Sequence, residues 1–233
     1  MIRTKKLRLP FNFDVERLKQ DLNQFSEDEW IVRDNRAIQN SEWLVLPLRS
    51  MEGSKGTNFG GSASHYKNTE LLNRCPYFQT VLSTFKCDIT SVRLISLKEG
   101  ATVKEHTDSG FGYEDGIARL FISVSSQPEA TFTLDGEEVH FPEGETWYVN
   151  ANCPHAVHNR SNMPRVHMML DLPPNPWLDD IFYTAGFQPD GPAKYGDPSI
   201  TDANVDMVIA ELKELNTSVS NQLANNLLEK MMA

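Results

Sequence analysis

IARLFISVSSQPEATFTLDGEEVHFPEGETWYVN, residues 117–150, is the stretch that decides the fold. Its runs of Val, Ile, Phe, Thr, Trp and Tyr are each only a few residues long, and Gly, Pro, Asp and Ser punctuate them, which is the pattern of strands joined by turns. Between TFTL and EEVHF stands Asp135-Gly136, a dipeptide that tolerates the positive φ angles of a two-residue hairpin turn. Along the first run, Ala118, Leu120, Ile122 and Val124 make one face uniformly apolar, whereas Ile117, Arg119, Phe121 and Ser123 share the other. The apolar face belongs against a core, so Arg119 is turned to the opposite side, where it can line a barrel mouth.

Reading outward, DITSVRLISL before this stretch and HAVHN and RVHMMLDL after it extend the strand pattern over residues 88–172, with no helical pattern among the segments. That predicts a mainly β chain, a sandwich or jelly roll, with helices flanking it rather than interleaved. HAVHNRSNMPRVHMMLDL reads as a hairpin. Its second strand places Arg165, His167, Met169 and Asp171 on one face and Val166, Met168, Leu170 and Leu172 on the core face. An inward arginine without an anionic partner is a costly buried charge, so Arg165 implies a carboxylate ligand or water beside it.

On the N-terminal side, Asp14 suits an N-cap, and Val15, Leu18, Leu22 and Phe25 follow at helical spacing. SEWLVLPLRS (41–50) reads as a strand, the segment 51–64 with its four glycines as a loop that is either a connector or a substrate lid, and PYFQTVLSTF (76–85) as a helix begun by Pro76. Beyond LDLPP the chain is rich in Pro and Gly until Thr201. A helical stripe of Val205, Val208, Ile209, Leu212 and Leu215 follows, then Leu223 and Leu227 on a second helix. The expected organisation is one domain over residues 1–185 and a helical C-terminal extension over 186–233, which packs on the core or forms a homodimer contact.

The chain has 233 residues and a formal net charge of -10, which counts against nucleic acid or an anionic membrane as partner. Cys75, Cys87 and Cys153 show neither disulfide nor zinc-knuckle spacing, and MIRTKKLRLPFNFDVERL never develops the apolar core of a signal peptide. A cytoplasmic protein is the expectation.

VKEHTDSGFGY, residues 103–113, places His106 and Asp108 two apart where a strand gives way to a glycine-bearing loop. At i and i+2 of an extended segment two side chains point the same way about 6.6 Å apart, so an imidazole and a carboxylate can converge on one ion. Alone, His-x-Asp is a weak signal, because a loop of this composition more often caps and turns than binds. A third ligand is needed, and His155 and His158 have opposite parity on a strand, so one of them at most faces inward.

The order Gly100, His106-Thr107-Asp108, Arg119, His155 and then Arg165 ten residues on resembles the aspartyl/asparaginyl beta-hydroxylase family of iron(II) and 2-oxoglutarate dioxygenases, which includes bacterial proline hydroxylases. The resemblance covers residues 90–180 well, the first ninety loosely and the tail hardly at all. It implies a double-stranded β-helix, the cupin-like jelly roll, with C-terminal helices beyond it, and it selects His155 over His158. His106, Asp108 and His155 are then the iron ligands, two histidines and a carboxylate that leave three sites for 2-oxoglutarate and O2. Arg165 is implied to pair with the distal carboxylate of 2-oxoglutarate, where a planar bidentate donor gives orientation as well as charge. Vertebrate aspartyl hydroxylases carry glycine where this chain has Asp108, so the intact triad brings the chain nearer the amino-acid hydroxylases.

Arg119, as a second inward arginine, suggests a carboxylate of the cosubstrate or of the substrate, and Arg49 and Arg93, each on an expected strand, are candidates for the same anion-binding pocket. The expected substrate is a free or lightly modified amino acid hydroxylated at an unactivated carbon. A peptidyl aspartyl or asparaginyl residue is the alternative, and a non-catalytic cupin-like binding protein is the alternative of another class. His65 and His140 fall outside the constellation, His158 and His167 are hydrogen-bonding supports or plain strand residues, and Cys153, Trp147 and Tyr148 read as packing.

Overall fold

The computed structural model describes residues 4–33, 43–54, 63–189, 194–197 and 200–232. Thr4–Gln188 form one compact unit, and the described residues from Pro189 onward belong to a second. Most of the glycine-rich segment read as a loop over 51–64 lies outside the described residues.

In the first unit, strand β1 (Lys6–Asn12) leads into helix α1 (Val15–Leu22), whose N-cap Asp14 accepts a hydrogen bond from Arg17 N. Strands β2 (Ile31–Arg33), β3 (Trp43–Met51) and β4 (Tyr66–Asn68) precede the short helices α2 (Glu70–Asn73) and α3 (Pro76–Ser83). Eight strands then follow: β5 (Ser91–Leu97), β6 (Thr102–His106), β7 (Ala118–Ser125), β8 (Ala130–Leu134), β9 (Glu137–Val139), β10 (Glu145–Val149), β11 (His155–Asn159) and β12 (Arg165–Leu172), with helix α4 (Pro176–Thr184) after them.

These eight are dealt between two antiparallel sheets. One has the order β1-β10-β7-β12-β5-β3-β2, with β4 also on β3, and the other β6-β11-β8-β9. Successive strands cross from sheet to sheet, except at the β8–β9 hairpin, whose turn residues Asp135 and Gly136 have φ of 48° and 79°. This is a double-stranded β-helix, mainly β with flanking helices, as the strand pattern predicts.

The expected hairpin of HAVHN with RVHMMLDL does not form. β11 pairs with β6 and β8, whereas β12 pairs with β5 and β7 in the other sheet. At the crossing, Asn159 Nδ2 lies within hydrogen-bond distance of the carbonyls of Leu97, Lys98 and Met163 and so ties the start of the β11–β12 connection to the end of β5.

Side-chain parity then divides the larger sheet. Ala118, Leu120, Ile122 and Val124 of β7 and Val166, Met168, Leu170 and Leu172 of β12 pack outward with Leu18, Phe78, Val81 and Phe182 of the helices. Fully buried side chains such as Leu120, Ile122 and Leu170 each contribute roughly 1.5–3 kcal/mol. The inner face meets the smaller sheet through Phe121, Phe132, Phe141, Val157 and Met169.

β1 and α4 are among the elements that the sequence reading passes over, with β2, β4 and α2. β1 alternates Leu7, Leu9 and Phe11 but contains Pro10, and it is tolerated because it lies at the sheet edge. α4 begins at Asn175-Pro176, where the asparagine Oδ1 caps Leu178 N at 2.9 Å and the proline takes the first turn.

In the second unit, α5 (Val205–Leu215) and α6 (Ser218–Met232) bury Val205, Ile209, Ala224 and Leu227 around Tyr195. Leu215, read from the sequence as part of the apolar stripe, and Leu223, read as an apolar position of the second helix, are exposed at 67% and 48%. No helix among the described residues is long and apolar enough to cross a membrane.

Candidate active site

His106 closes β6, His155 opens β11, and the two are direct partners in the antiparallel register of the smaller sheet. Their rings lie 4.3 Å apart, centroid to centroid. Asp108 follows on the loop, anchored by its own N–H to Ala151 O at 2.9 Å. One ligand atom from each of His106, Asp108 and His155 lies within 4.8 Å of the others, and this is the one such cluster among the described residues. His158 projects from the other side of β11 and is absent from it.

The imidazoles are set up to bind a cation. Nδ1 of His106 lies 2.8 Å from Lys104 O and Nδ1 of His155 lies 2.9 Å from Cys153 O. A carbonyl only accepts, so each Nδ1 carries a proton and Nε2 is the nitrogen left to face a metal. Burial first, with the Arg119 charge adding to it, holds the His155 pKa below that of an ordinary histidine. Phe132 stacks on the His155 ring at 5.6 Å.

The loop carrying Asp108 is tied to the turn after β10. Gly110 N donates to Asn152 Oδ1 at 2.9 Å and Ala151 N to Phe111 O at 3.1 Å. At Gly112 a Cβ would lie 2.5 Å from Asn152 Nδ2, so a side chain there would force the amide that holds this loop to shift.

A cavity of about 210 Å³ opens beside the triad, and its walls are largely Val, Ile, Leu and Phe side chains from both sheets. Its charged lining, apart from His106, Asp108 and His155, consists of Arg93, Arg119 and Arg165. Arg165 is 4% exposed and has no carboxylate within ion-pair distance among the described residues. Its Nη2 donates to His167 Nδ1 at 3.0 Å, and Phe132 lies 5.9 Å from the guanidinium carbon. Burial alone pulls its pKa down to about 9, which still leaves a full positive charge at neutral pH.

Because His167 accepts from a guanidinium at Nδ1, its proton is on Nε2. Burial, and then the Arg165 charge, lower its pKa well below the ordinary histidine value.

Arg119 and Arg93 are held differently. Arg119 grips Asp171 through Nε and Nη2 at 2.8 and 3.2 Å and donates from Nη1 to Asp108 Oδ2 at 2.7 Å. Arg93 Nη2 stands 3.6 Å from Asp171 Oδ2. Arg49 is not brought to the cavity. The register of β3 against β5 shifts between Pro47 and Arg49, and the side chain donates instead to Ile89 O and Asn68 Oδ1. Asp171 is the functional candidate that sequence reading noted only as an inward position, whereas His167, read as a hydrogen-bonding support or a plain strand residue, is bonded to Arg165. Trp43, which also lines the cavity, has a buried Nε1–H with no partner among the described residues.

Fold and site together define a double-stranded β-helix with a His-x-Asp…His cluster at the rim of an arginine-bearing cavity. The family model for aspartyl/asparaginyl beta-hydroxylase matches residues 12–174, and the chain belongs to that family. A second model, the AraC-like ligand binding domain, matches residues 126–230.

Among curated proteins, the L-proline cis-4-hydroxylase of Rhizobium meliloti (strain 1021) is 25% identical over 168 residues, covering 69% of this chain and 58% of that protein. The chain therefore spans less than two thirds of that relative's length. Solved structures that resemble it include a 2OG-Fe(II) oxygenase family oxidoreductase from Burkholderia pseudomallei (TM-score 0.48, 12% identity, 73% of this chain and 86% of that one). Another is a Pseudomonas putida prolyl-4-hydroxylase (TM-score 0.46, 10% identity, 73% and 93%).

Proposed function

We propose that the protein is an iron(II)- and 2-oxoglutarate-dependent dioxygenase that hydroxylates an unactivated carbon of a free or lightly modified amino acid. The observation that carries this reading is a pairing within one cavity: a two-histidine, one-carboxylate cluster stands with a buried arginine that has no carboxylate of its own among the described residues. Neither feature is decisive by itself. A metal isomerase needs the cluster and has no use for Arg165, while a sugar-binding jelly roll needs neither.

His106, Asp108 and His155 would supply three ligands to iron(II), a set suited to that metal because it leaves adjacent positions open. Iron(II) with 2-oxoglutarate and O2 supplies the oxidising power for C–H hydroxylation, with succinate and CO2 as co-products. The chain's own residues do the rest. Arg165 would receive the distal carboxylate of 2-oxoglutarate in its planar fork, and His167 Nδ1 orients that fork by accepting from Nη2 at 3.0 Å. The valines, Ile95 and the phenylalanines keep water from the reacting carbon.

A small substrate is favoured by the size of the cavity, about 210 Å³, and by the likeness to a proline hydroxylase over residues that include the triad. The family's titular reaction, on aspartyl or asparaginyl residues in a peptide, is the second reading, because the same family model matches the chain. To separate them, L-amino acids including proline, and Asp- and Asn-containing peptides, are incubated with iron(II), ascorbate and 2-oxoglutarate, and the products are read by mass. A free amino acid that gains one oxygen is the expected result. Gain of oxygen by the peptides alone transfers the assignment to the titular reaction.

A further inference from the structure

Arg119, on the inner face of β7, serves two carboxylates at once. Nε and Nη2 hold Asp171 at 2.8 and 3.2 Å, Nη1 holds Asp108 Oδ2 at 2.7 Å, and Phe111 covers the guanidinium face at 3.7 Å. Asp171 is 3% exposed, also accepts from Ser91 Oγ at 2.9 Å, and has Arg93 at 3.6 Å. In the sheet register Arg119 and Asp171 stand directly opposite on adjacent strands, so their contact is a cross-strand pair set by backbone pairing. Burial pushes the Asp171 carboxyl toward a higher pKa, but the charges of Arg119 and Arg93 outweigh it and keep the group ionised.

Asp108 stands on a loop with its side chain 41% exposed, so packing does little to fix its rotamer. The bond from Arg119 engages one of its two oxygens and leaves the other for a cation. An unneutralised guanidinium at that distance would repel a divalent ion, and Asp171 supplies the opposing charge. Asp171 and Asp108 never touch in this arrangement; Arg119 is the link.

We infer that Asp171 is a positioning residue for the metal site: it fixes and neutralises Arg119, which in turn holds Asp108 so that one of its oxygens is offered to the cation. The inference rests on the reading of His106, Asp108 and His155 as a metal site. It also gives Arg119 a role other than binding a carboxylate of the cosubstrate or substrate.

The test uses the metal-free full chain and Mn(II), titrated by calorimetry into the wild type, Asp171→Asn, Arg119→Gln and the double variant. Asp171→Asn should weaken Mn(II) binding about tenfold or more, as loss of a partner that orients a metal ligand does. The double variant should bind no more weakly than Arg119→Gln alone, because Asp171 acts through Arg119. Unchanged Mn(II) binding by Asp171→Asn overturns the inference, and so do losses that simply add in the double variant.

Should Asp171→Asn fail to fold, Arg119→Lys answers the same question. Lysine can keep an ion pair with Asp171 but cannot bridge both carboxylates, so weaker Mn(II) binding at an unchanged melting temperature is expected and wild-type binding overturns the inference. A wild-type protein that binds no Mn(II) overturns the metal-site reading itself, and this inference with it.

Discussion

Arg165 and Arg119 make an instructive contrast. Both lie on inner faces of the larger sheet, both are almost fully buried, and both line the same cavity. Arg119 has its charge met by Asp171 and Asp108, whereas Arg165 has a neutral histidine and a phenylalanine for company. Burying an arginine without a counter-ion costs several kcal/mol, and a fold keeps such a group where an anion arrives to complete it. Position and burial therefore do not distinguish a ligand-binding arginine from one that organises its neighbours. The carboxylate already at hand does.

The contrast breaks most sharply at the metal cluster. His106→Ala, Asp108→Ala or His155→Ala should abolish turnover and remove high-affinity Mn(II) binding, and retention of both by any of the three would remove that residue from the cluster. The next effect belongs to Arg165. Arg165→Lys loses one of two charge-assisted hydrogen bonds, about 1.5–3 kcal/mol, and should raise the KM for 2-oxoglutarate by roughly tenfold or more. An unchanged KM would mean that the cosubstrate sits elsewhere.

Stability against pH gives a smaller effect from the same side of the cavity. His167 refuses a proton in the folded state, because burial and Arg165 depress its pKa below the ordinary value of 6.5. The unfolded chain accepts that proton near 6.5, so the contribution is complete above this pH and is lost as pH falls toward the folded-state pKa. Urea unfolding of the metal-free protein should therefore show a fall of up to about 1.4 kcal/mol per pH unit below about pH 6.5 from this residue. His167→Gln keeps an acceptor for Arg165 and should flatten that slope; equal slopes would show that His167 is not the group responsible. The smallest effect is expected at His158, which lies on the other side of β11 from the cluster. His158→Ala should leave kcat and Mn(II) affinity near wild type, and loss of the metal there would exchange its role with that of His155.

Much of this was legible in the sequence, because period-two alternation fixes which side chains share a face. It put Arg119, Arg165, His167 and Asp171 together on inner faces and Leu120, Met168 and Leu170 on outer ones, and Asp135-Gly136 announced its hairpin. The order of His106, Asp108, His155 and Arg165 pointed to a metal and an anion. Adjacency between strands was not legible. That β12 lies beside β7, bringing Asp171 opposite Arg119 from 52 positions away, depends on the chain crossing between the sheets after β11, which no local pattern announces. Without that pairing Arg119 reads as a second free cation. Arg49 is a sequence candidate for the pocket only because it stands on a strand; the register shift between Pro47 and Arg49 and its bonds to Ile89 O and Asn68 Oδ1 show that strand membership alone does not bring a side chain to the cavity.

The measurement that bears most directly on the claim of a 2-oxoglutarate-dependent oxygenase is the conversion of labelled 2-oxoglutarate to succinate, with iron(II) and ascorbate, by the wild type, His155→Ala and Arg165→Met in air and under argon. The account predicts succinate from the wild type in air alone, stimulated by the amino acid that gains oxygen, none above background from His155→Ala, and restored turnover in Arg165→Met only at much higher 2-oxoglutarate. Succinate formation that persists under argon or in His155→Ala, or wild-type protein that forms none with any amino acid or peptide offered, would contradict it.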